Sequence, residues 1–423
     1  MSDKTLNSNK RHIVTAFLLL LVMFLYMYIN TSYELSTGSN YGYHQLWRLD
    51  AITAILRYSA LLLLLVVSNR FYRKSLIKNK SAWFISCLML FMLVFFWFME
   101  AVISSNFQAM VYSVTSPLVY LTAISMFIGF SDYGFDCFAK LCLPISCILI
   151  ALSIISYFLF LLKFPVGLLA DSSALTYYVN GFWLFAISMV YRETHHIKGN
   201  RILTWIVLIL LVALAVLFNS RGWVIQSFLL LLLNVYMISK GKKLKTVFIV
   251  VLAIVVIICI IVVVMENYFP TAWEYMQLKL NKDTRSNQYQ DIFSQVSALD
   301  LLLGKGYHFT YNNGIKSDYA YIDNSFLFVL VRYGIAMFIL YYWIYIYPLK
   351  ALFISKIDKT THYYSLILLM WLAALGGLSI FCAISIDMKS IAMSIVAGRC
   401  IAGLSKLKET KYNRFKTSPG FTL

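Results

Sequence analysis

The sequence predicts an all-α fold: a polytopic membrane helix bundle of about 12 transmembrane helices, with one large extracytoplasmic loop between spans 9 and 10. Three observations predict it. Of 423 residues, 61% are hydrophobic and only 13% charged, with a mean hydropathy of +0.76, which excludes a water-soluble globular enzyme. Apolar runs long enough to cross a bilayer recur along the chain, and the aromatic side chains, 17% of the total, suit its two interfaces. Lys and Arg alternate between rich and poor connections, as membrane topology requires.

An α-helix rises about 1.5 Å per residue across a hydrocarbon core about 30 Å thick, so a span needs roughly 20 apolar residues. Taken in order, the runs fall at 13–29, 51–68, 82–102, 111–130, 141–162, 174–191, 202–218, 223–238, 246–264, 325–347, 364–381 and 390–404. Lys4, Lys10 and Arg11 precede the first run as in a signal peptide, but no small-residue cleavage site follows, so it is read as a retained span. A miscounted span would invert the sign of every later connection. With the N-terminus in the cytoplasm, 24 of the 36 Lys and Arg lie on the cytoplasmic side, 9 outside and 3 within spans, while 11 of the 18 acids lie outside. Both termini are therefore expected in the cytoplasm, with 405–423 as a basic cytoplasmic tail of the single membrane domain 1–423.

The formal charge of +18 does not point to nucleic acid, because the basic residues form short clusters between apolar runs, at 70–80 and 240–245 for example, rather than one basic face. The seven cysteines lie within or at the ends of apolar runs, with no CxxC pair and no histidine at metal-ligand spacing, so they read as core packing. No P-loop, Gly-rich phosphate loop or paired-acid motif appears, which argues against ATP or a nucleotide sugar as substrate. Most connections are short, but 265–324 forms a single outer loop of 60 residues, where function is to be sought. Within it Ile292, Phe293, Val296, Leu299 and Leu303 recur at helical spacing opposite Asp291, Gln295 and Asp300, and Gly304 follows as a stop. The pattern predicts an amphipathic helix on the outer membrane face, either sealing the bundle or framing a substrate groove.

The candidate site residues are cations and polar groups near that outer face. Arg221, within Asn219-Ser220-Arg221-Gly222, occupies a tight turn between spans seven and eight. It reads as an interfacial anchor or as an anion clamp, since a guanidinium fork fits phosphate oxygens and a helix N-terminus adds positive potential; the clamp is favoured. Arg285 opens the loop helix, where a cation opposes the helix dipole; it is either a surface partner of Asp283 or a ligand for an anion. Asp323 and Asn324 stand where the loop re-enters the membrane, and Asp323 is either an N-cap or a carboxylate that accepts a hydroxyl proton. Arg57 lies two helical turns from Asp50 with Arg48 nearby, so an ion-pair network competes with a binding role. Arg332 has no acid in its own span and is expected to line an inner cavity. His308, the only histidine of the loop, is an alternative base or plain polar surface.

These residues resemble those of the bacterial O-antigen polymerases and, more distantly, the O-antigen ligases. The likeness rests on the 219–222 turn opening a span, the large late loop, Arg285 followed by Tyr289, Phe293 and Gly304-Lys305-Gly306, and Asp323-Asn324-Ser325 running into Leu327, Tyr333, Gly334 and Ile335. It covers roughly 202–347, and the earlier spans match in hydropathy alone. Ligases of this group place a histidine before the asparagine at the loop's return, whereas this chain has Asp323, which tilts the resemblance toward polymerase.

The resemblance implies a glycosyltransferase of the bacterial inner membrane that polymerises lipid-linked repeat units for O-antigen or capsule. Its substrate would be a polyprenyl-diphosphate-linked oligosaccharide held in membrane lipid, its partner a chain-length regulator, and it would need no cofactor and in principle no metal. Arg221, Arg285 and Asp323 would then be catalytic, and Arg57, Arg332, Asn324, His308 and Arg48 substrate-binding. Tyr307, Tyr311, Tyr319 and Tyr321 offer rings for stacking on sugars. A lipid-linked oligosaccharide flippase is the rival from another class, although the single long loop breaks the paired halves usual in such transporters. An O-antigen ligase is the second rival.

Overall fold

The computed structural model describes residues 3–37, 51–75, 80–104, 116–163, 172–197, 201–218, 220–239, 284–314, 317–322, 324–379 and 382–416, with isolated positions between 263 and 277. Its helices are α1 (Asp3–Thr37), α2 (Ala51–Ser75), α3 (Lys80–Ser104), a 3-10 segment (Pro117–Ser125) leading into α4 (Met126–Phe130), α5 (Asp132–Lys163), α6 (Ser172–Thr194), α7 (Arg201–Leu217) and α8 (Arg221–Ser239). The second half holds α9 (Thr284–Ser294), α10 (Ala298–Leu303), α11 (Ser325–Ile346), a 3-10 turn (Tyr347–Phe353), α12 (Lys359–Ala373), a π turn (Ala374–Leu378) and α13 (Met388–Lys416). Among the described residues the only β pairing is an isolated antiparallel bridge between Tyr311 and Tyr319.

Nine described helices are long and apolar enough to cross a membrane, and they coincide with nine of the twelve expected spans. The chain is an all-α polytopic membrane bundle. Two further apolar helices fall on expected spans: α7 has 17 residues, matching the 202–218 run, and the described part of the 111–130 run, Pro117–Phe130, is helical, beginning as a 3-10 segment behind Pro117, which Ser116 caps. The 246–264 run lies outside the described residues. In the expected tail, α13 continues to Lys416, and Arg399 and Lys406 both reach Asp132 at the start of α5. The centre of the bundle is α6, whose apolar window is 94% buried, whereas that of α3 is 22% buried and must face lipid. Burying α6 among apolar neighbours demands that its polar groups find partners. Asn180 meets that demand by accepting from the Lys389 backbone N–H at 2.9 Å, at the start of α13. Beside it Asp387 and Lys389 form an ion pair, each side chain about 5% exposed, and Asp387 also accepts from Ser390 N at 3.0 Å and Ser385 Oγ at 2.6 Å.

The long loop folds back on α11. Gly334 breaks that helix with φ +74°, so span ten is two stacked helices rather than the continuous one its hydropathy predicts. Carbonyls freed by the break are taken by the loop: Lys305 N donates to Val331 O at 2.8 Å and Gly306 N to Arg332 O at 2.9 Å. The two chains approach so closely that a Cβ on Gly334 would lie 2.5 Å from Leu302 O, and one on Gly304 2.6 Å from Arg332 O. Arg332 completes the seam from below. Its guanidinium donates to the carbonyls of Tyr307, Phe309 (3.0 Å) and Ala320 (2.9 Å) and lies over the Phe328 ring at 4.4 Å. Arg332 is 1% exposed and fastens loop to helix, because three carbonyls supply its terminal guanidinium nitrogens with partners that no acid of its own span provides.

The predicted amphipathic helix is likewise two pieces, α9 and α10, because Ser297 forms a capping box with Asp300 and restarts the helix. Ile292 is buried with Phe309, Tyr311, Ile322, Leu327 and Val331, while Phe293, Leu299, Leu302 and Leu303 are exposed as an apolar stripe. Tyr307 and Tyr311 are core rings, not sugar platforms: Tyr311 Oη donates to Tyr321 O at 3.0 Å and accepts from Gln288 Nε2 at 2.8 Å.

Gly334→Ala combines a left-handed backbone with a collision against Leu302 O, and is expected to cost about 3 kcal/mol or more. Gly314→Ala, at φ +75° with open space around it, should cost only about 1 kcal/mol. Thermal unfolding of the two variants in detergent checks the difference. Hydrogen bonds from Ser297, its backbone N–H foremost, hold the Asp300 carboxyl below its ordinary 3.8. Because the folded value is the lower one, this stabilisation is complete above the unfolded value and is lost as pH falls through the folded one. Hydrogen exchange across Ala298–Leu303, corrected for intrinsic rates, should therefore lose protection as pH falls from the ordinary carboxyl value through the lower folded one, and Asp300→Asn should abolish that dependence.

Candidate functional site

The three motifs singled out in the sequence meet at the end of the bundle that carries the loop. Helix α8 opens at Arg221, directly after buried Ser220, and its second residue, Gly222, lies against the π turn. A Cβ there would collide with Leu378 O and come 2.9 Å from Ser379 Cα, so only glycine lets the α8 N-terminus rest on that backbone. From the other side α9 brings Tyr289, one turn after Arg285 and therefore on the same helix face. From the loop's return comes Asn324, the N-cap of α11.

Asn324 ties these parts together. Its Oδ1 accepts from Phe326 N at 2.9 Å and Leu327 N at 3.2 Å, which is the capping role the sequence left open for Asp323. Its Nδ2 donates to Gly376 O at 3.0 Å and to Tyr289 Oη at 3.2 Å. Gly377, at φ +96°, turns the chain beneath them, and a Cβ there would sit 3.1 Å from Tyr289 Oη. One amide thus joins α9, α11 and the π turn, using donor and acceptor ends together. The neighbouring Ser379 is buried, and its Oγ has no partner among the described residues.

Arg221 is exposed and makes no ion pair among the described residues, so its charge is free to meet an anion alongside the first N–H groups of α8. The backbone of Arg285 sits in the first turn of α9; its side chain, like Asp323, Asp50 and Arg48, lies outside the described residues. Arg57 belongs to the α1–α2 contact, where its Nε donates to Met23 Sδ at 3.2 Å. His308 is exposed with its ring on Tyr307 at 3.7 Å, in the segment that Arg332 fastens. The site therefore gathers the Arg221 turn, the Arg285 helix and the Asn324 corner, while Arg57 stands in the α1–α2 contact and Arg332 in the seam between loop and α11.

Sequence reading missed the floor of this site, Gly376, Gly377 and Ser379. A glycine pair interrupting an apolar span is the signal that points to such a break. It also missed the buried Asp387 and Lys389, two opposite charges immediately before the last span.

Residues 206–342, about a third of the chain, match a family model described as O-antigen ligase, and this match supports the O-antigen ligase/polymerase superfamily. The matched segment runs from α7 through the loop into α11, and contains Arg221, Arg285 and Asn324. No curated protein and no solved structure matches the chain.

Asn324→Ala removes the cap and both donated bonds and is expected to cost about 2–3 kcal/mol. Asn324→Ser keeps a cap acceptor and should cost about 1 kcal/mol. Equal melting temperatures for the two variants would show that the cap contributes nothing, and a Ser variant as stable as the parent that the reach to Gly376 and Tyr289 contributes nothing.

Proposed function

We propose that this chain is a polysaccharide repeat-unit polymerase. It transfers a growing glycan from polyprenyl diphosphate to the sugar end of another lipid-linked repeat unit, in O-antigen or capsule biosynthesis. The observation that carries the reading is the convergence of the Arg221 turn, the Arg285 helix and the Asn324 corner at the π turn. The distribution of Lys and Arg supports an outward-facing site in a bacterial inner membrane, with both termini in the cytoplasm.

The chemistry follows from these groups. The bond between the donor sugar's anomeric carbon and the diphosphate oxygen breaks, a bond from that carbon to the acceptor hydroxyl oxygen forms, and the hydroxyl proton passes to a base. Arg221 and Arg285 are assigned to the diphosphate, whose negative charge grows as the bond breaks; guanidinium forks fit its oxygens and the α8 N-terminus adds to the potential. Asp323, preceding the Asn324 cap, is assigned to the acceptor hydroxyl as orienting group or base. Asn324 holds that corner against α9 and the π turn. Diphosphate is a good leaving group, so this scheme asks for no metal. A chain-length regulator is the protein partner the reading carries with it.

The description of the matched family keeps an O-antigen ligase as the second reading; Asp323 in place of a histidine favours the polymerase. Loss of a polymerase leaves surface lipid cores bearing a single repeat unit, whereas loss of a ligase or of a flippase leaves cores bearing none. Gel analysis of surface polysaccharide in a deletion strain separates them. Arg221→Ala and Arg285→Ala should each lower polymer formation by about 100-fold at normal protein abundance. Lysine at either position should rescue only part, because ammonium lacks the fork. Unchanged chain lengths in both alanine variants would end the clamp hypothesis.

A further inference from the structure

A second charged recess lies at the opposite end of α8, a 19-residue helix about 28 Å long. There the last turn of α6, the first turns of α7 and the last turns of α8 enclose a cavity of about 430 Å³. Its wall includes Arg192, Glu193, His196, Arg201, Trp205 and Asn234. We propose that this recess binds a phosphate group, that of an anionic membrane lipid headgroup in particular, separately from the candidate active site.

Three observations carry the proposal. Asn234 is 3% exposed, and its Nδ2 has no acceptor among the described residues although it lines the cavity. A buried donor without a partner is costly, and a phosphate oxygen in the recess would satisfy it. Arg192 and Arg201 stand on two helices across the same space, neither paired with an acid among the described residues, and Glu193 is the only carboxylate in the wall. Arg192 lies in the last turn of α6, where the helix dipole favours a cation, but Arg201 is the first residue of α7, where the dipole opposes one. Among the described residues no acid pairs with Arg201 there, whereas an anion held between the two guanidiniums and the α7 N-terminus would favour it.

The surroundings select a lipid as the carrier of that phosphate. Ile202 and Ile206 on α7 are 67% and 55% exposed beside the recess, an apolar flank along which acyl chains can lie while the headgroup enters. In sequence α8 is followed at once by Lys240, Lys242 and Lys243, the basic signature of a helix end that meets anionic lipid.

The test uses the full-length protein, purified in detergent and stripped of lipid. Native mass spectrometry measures retention of phosphatidylglycerol against phosphatidylcholine, for the parent and for the double variant Arg192→Gln/Arg201→Gln. The proposal expects phosphatidylglycerol to be preferred by the parent and its tightest binding event to weaken about tenfold in the double variant. Asn234→Leu, which removes the amide donor without changing any charge, should weaken the same event and stands in if the double variant does not fold. Excess inorganic phosphate distinguishes the sources: failure to displace the lipid identifies a lipid headgroup, and displacement identifies a site for phosphate from either source. Equal retention of the two lipids by the parent, or phosphatidylglycerol binding unchanged in folded double variant or Asn234→Leu protein, overturns the proposal.

Discussion

The arrangement of this molecule depends on how a broken membrane helix satisfies its own backbone. Gly334 interrupts α11, and carbonyls left without partners inside a membrane protein are tolerated only where protein re-bonds them. The loop does so with the N–H groups of Lys305 and Gly306, and Arg332 answers by holding three loop carbonyls. Each side meets the other's unsatisfied groups. That reciprocal seam fixes α9 and α10 over the end of the bundle, and only then can Tyr289 meet Asn324 and the π turn.

Much of the fold was legible because hydrophobic length and charge asymmetry act over whole segments. Nine spans are found where periodic apolar runs stand, and the long loop falls between two of them. The breaks were not legible. Gly334 sits within a span whose hydropathy averages across it; what makes it a break is Leu302 O pressing from a segment some thirty residues earlier. The division of the loop helix at Ser297 was readable in principle, since Ser297 and Asp300 stand at capping-box spacing, but the apolar periodicity running through them masks it.

The candidate site was legible as motifs and illegible as a place. Arg221, Arg285 and Asn324 were each noticed for local reasons, a charge in a turn, a cation against a dipole, a polar corner before a span. Their meeting point is supplied by Gly376, Gly377 and Ser379, which carry no charge and announce no chemistry. Conversely, Arg332 drew attention as an intramembrane cation, yet its charge is spent on carbonyls. A cation in a span can serve the backbone as fully as it can serve a ligand. The Asp387 and Lys389 pair illustrates the same principle at the start of α13, where charges, hydroxyls and the Asn180 amide close around one another.

The small apolar cluster beneath the loop draws Ile292, Phe309, Tyr311 and Ile322 from one side and Leu327 and Val331 from α11 on the other. A third of its buried side chains, two of six, therefore belongs to a membrane span. Excised as a peptide, 284–322 would present those rings and branched chains to water with nothing opposite them, and its native outline would dissolve. Antibodies raised against such a fragment would learn the wrong shape, and dissection of this protein has to keep the loop and its helix in one piece.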